Sequence, residues 1–484
     1  MMRSLYSGVS GLKVHQTKMD VIGNNIANVN TIGFKASTVQ FSDIFYQTTQ
    51  SASGANALTG TAGTNAKQIG LGTTLASISA SMSTQGGSQR TDNATDIMIT
   101  GNSFFVVNNG NGNYFTKNGS FTIDGAGYLA TETGYYVMGW SPDPDDPNKI
   151  KQDTVGKIAI QTPENATTPP EATTNVTLKG NIDKTDSSLT GDGYIISSEF
   201  FDNLGNAYTA KYKLTATTTT NASEKAYLID LVDITDKDGK SAVSNANGAT
   251  PLISTVTFGG ATYTYDAPTS QLKPSASTTQ IVRFNATTGA FVGTGATGTN
   301  TTLDLKLTTG SDTAATTTAP ASTLFGKAGT ITYDLSSITQ YSTTGACSIA
   351  SSKGSLQNTG AGKKVGNLSG ISIQQDGKIY GSYDNGTSKL LGQIAVATFS
   401  NPAGLEAIGG SLFSATQNSG EFDGKGVDVT ADGGKFSTGV LEMSNVDLSS
   451  EFTNMITTQR GFQANSRIIT TSDTLLEELI NLKR

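Results

Sequence analysis

Cysteine and histidine each occur once in this chain, at Cys347 and His15. A single cysteine excludes an intrachain disulfide. A single histidine excludes a multi-histidine metal site, and it excludes a Ser-His-acid triad anywhere away from residue 15. Charge is also scarce: 15% of residues are charged and the net charge is −7, which leaves no basic patch for a nucleic-acid partner. No run approaches the roughly 18 apolar residues of a membrane span, so no membrane contact is expected. The first residues, MMRSLYSGVSGLKVHQ, have neither a continuous apolar stretch nor a small-residue cleavage signature. A cleaved signal peptide is therefore not expected, and the protein either stays inside or leaves by another route.

What the chain has in quantity is glycine, 55 residues of it, with long tracts of Thr, Ser, Ala and Asn. That composition suits short strands joined by many turns and argues against a helical enzyme core. The two ends differ from the rest. Met2, Leu5, Val9 and Leu12, then Met19, Ile22, Ile26 and Val29, recur at alternating spacings of three and four, the seam of a coiled coil. Leu448, Phe452, Met455, Phe462, Ile469, Leu476 and Leu479 repeat the pattern at the other end, interrupted by Gln459, Ser466 and Ser472. Isolated helices are marginal in water, so each strip needs a partner. The strips are weakly complementary in charge: Arg3, Lys13 and Lys18 stand against Asp20 in 1–30, and six acids against four bases in 440–484. Two narrow seams still make a thin structure, and the economical supplier of further helices is a second copy of the chain.

Between the ends, Asn30 and Gly33 stop the first helix in a turn. Residues 47–66 are nearly all Gln, Thr, Ser, Gly, Ala and Asn and read as a mobile connector. From 69 onward short alternating strands follow, with Asn109-Gly110, Asn118-Gly119 and Asp124-Gly125 placed as hairpin turns. Six of the eleven prolines fall between Pro142 and Pro170 and mark a domain boundary. Tyr208, Ala210, Tyr212 and Leu214 alternate strictly beyond it. A Gly, Ser and Lys rich passage at 342–366 closes this middle region, and the strands of 371–399 return to the sheet begun at 69–140. The expected fold is multidomain and mainly β with helical ends. It comprises a terminal coiled-coil domain (1–30 with 440–484), a connector (31–68), a β-rich domain (69–141 with 365–436) and an inserted β-rich outer domain (142–364) of one or two subdomains.

The motifs that carry chemistry elsewhere have plainer readings here. Gly293 to Gly298 matches GxGxxG, but the strand-like Thr301, Leu303, Leu305 and Leu307 follow where a dinucleotide site needs a helix. Asp236-Lys237-Asp238-Gly239 resembles the centre of a calcium loop, yet Ile234 and Asn245 occupy its first and last ligand positions, so it reads as a turn. Cys347 has no basic neighbour in sequence to activate it. His15 reads as a packing or surface residue of the helix. Tyr114, Phe115, Tyr135, Tyr136 and Trp140 read as hairpin core. No catalytic residue, cofactor or metal is expected.

The segment NNIANVNTIGFK (24–35), preceded by SGLK (10–13), resembles the N-terminal signature of the bacterial flagellar rod, hook and hook-associated proteins; it contains Asn24, Asn25, Asn28, Asn30, Gly33 and Phe34. SNVDLSSEFTNMI (444–456), QRGFQANSRIITTSD (459–473), DGKIYGSY (376–383) and LGQIAVATFSNPAGL (391–405) resemble hook proteins in particular. FFDNLGNA (200–207) and RFNATTGAFV (283–292) add a looser match.

The resemblance implies a structural subunit, not an enzyme, that polymerises into a curved flexible tube. That tube acts as a universal joint linking the basal-body rod to the filament and transmits torque for motility. It implies an extracellular place in the flagellum reached through the flagellar type III export apparatus. Partners would be copies of itself in a helical tube, together with the rod, hook cap, hook-filament junction and hook-length control proteins. A distal rod or hook-associated junction protein shares the terminal signatures. A secreted β-rich adhesin closed into a small oligomer is the reading from a different class.

Overall fold

The computed structural model describes residues 2–54, 60, 62–219, 221–243, 252–266, 268–275, 280–295, 298–309, 324–325, 329–342 and 345–482. The centre of the 47–66 connector, the last position of the Asp236 turn and part of the GxGxxG match lie outside these residues. The chain forms two compact units, Met1–Ala166 with Ser369–Ser382 and Ser388–Arg484, and Thr167–Leu368 with Tyr383–Thr387.

The first unit holds both long helices, Met2–Ala27 and Leu448–Asn481. Its β core is built on Phe104–Asn108, which pairs with Asn113–Thr116 on one side and Tyr136–Trp140 on the other. Returning chain completes it: Ser388–Ile394 joins through Gly139 opposite Ile394, and Leu412–Ser414 joins through Phe413 opposite Phe115. Alternation along Phe104–Asn108 sends Phe105 and Val107 into one cluster with Phe121, Ile379 and Phe436, and Phe104 and Val106 into another with Met82, Phe115 and Phe413. Phe105 lies 4.9 Å edge-on to Phe121 and 5.8 Å stacked on Phe436, arrangements that favour aromatic pairs.

Two short ladders tie outgoing to returning chain, Ile97–Thr100 with Lys435–Thr438 and Ser88–Arg90 with Val440–Glu442. The expected return of the late strands to the early sheet is what this pairing shows.

Two expectations are corrected. Segment 142–166 belongs with the first unit: Gly156–Lys157 pairs with Met138 and Gly139, Ile158 and Ile160 are buried, and the Trp140 indole N–H donates to the Asp153 and Lys425 carbonyls. Prolines exclude regular ladders, but they do not exclude packing.

Strand pairing runs into the connector from both of its ends. Ser37–Asp43 pairs with Thr73–Ala80, Tyr46–Gln50 with Lys67–Gly70, and Ser53 bridges Thr64. Threonine suits an exposed ribbon as well as it suits a linker, so composition does not separate the two.

The second unit is one sandwich. A seven-stranded sheet carries Thr302–Thr309 and Thr330–Thr339 near its middle, and a five-stranded sheet carries Ala207–Thr217 and Glu224–Asp236. Tyr212, Phe258, Leu305 and Tyr333 belong to a single core filled from both sheets, which gives one domain. Cys347 is buried there; burial pushes its thiol up to about 11, while the neighbouring Asp186 is held at about 2, chiefly by the Ser188 hydroxyl and then by the Cys347 and Ser188 amides. A thiol so raised is a packing group at neutral pH.

Candidate functional site: the paired terminal helices

Both terminal strips fold as the helices their periodicity predicts, and they pack on each other. Asp447 caps the second, its carboxylate accepting from the Ser449 amide at 2.9 Å. Gly8 faces Ile468 and Ile469, Gly11 faces Asn465, His15 faces Gly461, and Asn25 donates to Glu451 Oε1 at 3.3 Å. Each step up one helix is a step down the other, so the pair is antiparallel.

The face that closes this hairpin is not the apolar one. From the first helix it buries Gly8, Gly11, Val14, Ile22 and Asn25, and from the second Thr458 and Ser472. Glycine lets the backbones approach closely: a Cβ at Gly461 would sit 2.7 Å from the His15 ring, and one at Gly11 2.7 Å from the Asn465 amide. His15 Nδ1, Glu451 Oε2 and Thr458 Oγ1 are buried without a hydrogen-bond partner among the described residues. Burial, and then the Lys18 charge, lower the His15 pKa, and Phe41 of the ribbon meets the ring edge-on at 5.8 Å.

The idea that the two apolar seams meet each other within one chain is thereby corrected. Of the first seam only Ile22 is buried; Leu5, Leu12, Met19, Ile26 and Val29 are half-buried, Val9 is exposed, and Met2 is 63% exposed. Of the second, Met455, Phe462, Ser466, Ile469 and Leu476 are half-buried, while Leu448, Gln459, Leu479 and Phe452 are exposed. Ile456, Ile468 and Leu475 add to the uncovered apolar surface.

The signature residues do separate work at the base of the hairpin. The Asn25 amide binds Ser37 twice, donating to its carbonyl at 2.9 Å and accepting from its amide at 3.0 Å. Asn28 donates back to the Asn24 carbonyl and accepts from the Thr31 hydroxyl, while Asn24 and Asn30 stay exposed. Gly33 adopts φ +68° and donates to the Glu442 carbonyl at 2.8 Å; a Cβ there would lie 2.8 Å from the Asn118 amide nitrogen. Asn24, Asn28, Gly33 and Phe34 line a cavity of about 410 Å³ closed by Leu412 and Phe413.

Around that turn lies a buried charge cluster that periodicity gives no hint of. Lys35 Nζ donates to Glu442 Oε1 and to the Thr84 carbonyl, both at 2.8 Å. Glu442 Oε1 also accepts from the Gly86 amide. Lys117 donates to the Gly101 carbonyl at 2.7 Å, and burial pushes its ammonium down to about 8. Asn445 accepts from the Ala36 amide and donates to the Ser81 and Thr84 carbonyls. Asn445 stands in the second signature and Lys35 in the first, so chain similarity marked residues whose joint role only the fold displays.

Among the described residues no group of three or more His, Cys, Asp and Glu is placed to hold a metal, and no helix is long and apolar enough to cross a membrane. What the geometry offers is surface for association.

Comparison with known proteins agrees. Residues 5–35 match the flagella basal body rod protein model, 98–184 the flagellar hook protein FlgE/F/G D1 domain, and 437–482 the flagellar basal body rod FlgEFG protein C-terminal model. The flagellar hook protein FlgE of Borreliella burgdorferi is 35% identical and that of Treponema pallidum 34%, each over 100% of both chains. The flagellar basal-body rod protein FlgG of Bacillus subtilis is 28% identical over the same full span. Likeness at that level from end to end, in a chain whose termini pair as these do, places it in the flagellar hook protein family.

Proposed function

We propose that the uncovered apolar faces of the two terminal helices are the surfaces by which copies of this chain polymerise. The chain is a structural subunit of the flagellar hook. The observation that carries the assembly surface is the inversion of the hairpin: glycine and polar residues, with Val14 and Ile22, fill the contact within one chain, while Met2, Val9, Leu448, Phe452 and Leu479 are left for neighbours. Contacts that are not self-complementary and do not close generate a helical polymer, so many hairpins side by side would form the wall of a tube. The β-rich units would stack outside that wall. Their Thr, Ser and Asn rich surface suits many weak, interchangeable contacts, which is what a joint that bends while transmitting torque requires.

Export through the flagellar type III apparatus, assembly under a hook cap, length control by a dedicated protein, and junctions with rod and filament proteins complete the reading. Terminal helices that order only on docking would keep the subunit unfolded enough for export. The full-length match to a rod protein supports distal rod membership as a second reading, at lower identity than the hook relatives. Electron microscopy of the purified chain after induced polymerisation tests the proposal: extended tubes support it, and closed small oligomers or persistent monomers overturn it.

A further inference from the structure

The charges on the second helix are segregated along its length. Arg460 and Arg467 lie in its middle and are exposed; Asp473, Glu477 and Glu478 lie toward its end and are exposed too. No ion pair joins any of these five to another described residue. Arg460, Arg467 and Glu478 are seven and eleven apart, which puts them on one face of the helix, pointing away from the first helix. Asp473 and Glu477 continue the seam line of Gln459 and Ser466. By the antiparallel register Lys13, also exposed, is level with the two arginines. Lys483 and Arg484 follow in sequence, outside the described residues.

We propose that this pattern sets the axial stagger between neighbouring copies, the acidic end of one helix lying beside the basic middle of a second copy's helix. The inference rests on the polymer reading above and adds its geometry. In an open helical polymer all copies point the same way. Without displacement, neighbouring parallel helices would hold arginines level with arginines and acids level with acids, which is repulsive at low ionic strength. Displacement by about 12 residues, roughly 18 Å at 1.5 Å per residue, instead brings Asp473 level with a neighbour's Arg460 and Glu478 level with its Arg467. The same displacement brings the exposed Ile468 level with the neighbour's exposed Ile456. Charge thus selects among registers that apolar contact alone would leave equivalent, and it disfavours the unstaggered ring that a closed oligomer needs.

The test uses the full chain. Tip reversal (Asp473→Lys, Glu477→Lys, Glu478→Lys), middle reversal (Arg460→Glu, Arg467→Glu) and their combination are polymerised at about 20 mM and about 500 mM NaCl, which brackets strong and weak screening. Circular dichroism checks each fold, since all five sites are on the surface. Each single-sided reversal should raise the low-salt critical concentration about fivefold to tenfold, as a few exposed pairs warrant. The combination should restore it, and reconstruction of the wild-type polymer should show the tip acids beside a neighbour's arginines. A combined variant no better than either parent, or a reconstruction with tips beside tips, overturns the stagger while leaving polymerisation intact. A wild-type chain that forms only closed oligomers overturns the functional reading itself.

Discussion

Lys35 Nζ lies 2.8 Å from Glu442 Oε1 with both side chains 1% exposed, although 407 positions separate the two residues. The pair joins the end of the first helix to the approach of the second. Removing one partner leaves the other charge buried. Glu442→Ala should therefore cost about 3–5 kcal/mol in urea unfolding, while replacing both residues with apolar ones of similar size should cost far less. Equal losses for the single and double variants would show that the charge is not what matters.

The same substitution should have opposite signs ten positions apart. Gly23→Ala meets nothing within 4 Å and sits in a helix, so it should stabilise by about 0.8–1 kcal/mol. Gly33→Ala puts a Cβ against the Asn118 backbone at φ +68°, and should destabilise by about 1–2 kcal/mol from the left-handed conformation alone. Thermal melts followed by circular dichroism decide both.

Protonation should loosen the hairpin. The His15 pKa is lowered by burial first and Lys18 second, so the unfolded chain takes a proton near the ordinary 6.5 before the folded one does. The contribution is complete above that value and lost as pH falls through the folded value. His15→Gln should flatten the pH dependence of helix pairing below neutrality, read from solvent accessibility of a probe at Thr458.

Lys117 works over a different range. Its folded pKa of about 8 lies below the ordinary 10.5, so between these values the unfolded chain holds more protons and stability rises with pH. Lys117→Met should remove that rise, seen as the wild-type minus variant difference in urea midpoint from pH 8 to 10.5. A difference that stays flat across the range would rule out a depressed Lys117.

Polar residues on an apolar seam specify register at some cost in stability. Gln459→Leu with Ser466→Leu, and Gln16→Leu on the first helix, where Gln16 stands on the seam between Leu12 and Met19, should permit misregistered or premature assembly, visible as aggregates or irregular polymers in electron micrographs. Polymers indistinguishable from wild type would remove this role from the three positions.

Apolar periodicity located both helices and the faces that carry Met2, Leu5 and Val9, because period alone determines which side of a helix is apolar. It did not show that Gly8, Gly11 and Gly461 would draw the helices together on another side. A glycine face has no hydrophobic signal. The clasp was equally hidden: nothing in the sequence around Lys35, Lys117 and Glu442 signals burial, which comes from the turn at Gly33 and the ladder at Val440–Glu442. The strands of 69–140 and 371–399 were legible as short apolar runs set between Gly and Asn turns, and the run Phe104, Phe105, Val106 and Val107 is apolar throughout because both of its faces are buried. The ribbon of 37–80 was not, since nearly every side chain in its outer part is exposed and pairing leaves no imprint on composition.

The Lys35–Glu442 clasp also makes the fold a check on completeness. A chain emerging from its N-terminus presents Lys35 early and Glu442 only 407 positions later in a chain of 484. Until then the lysine has no carboxylate, the turn at Gly33 has no acceptor from residue 442, and the first helix has no second helix to lie on. A chain that stops short of Glu442 therefore lacks the clasp, and with it the fixed base on which the two helices stand.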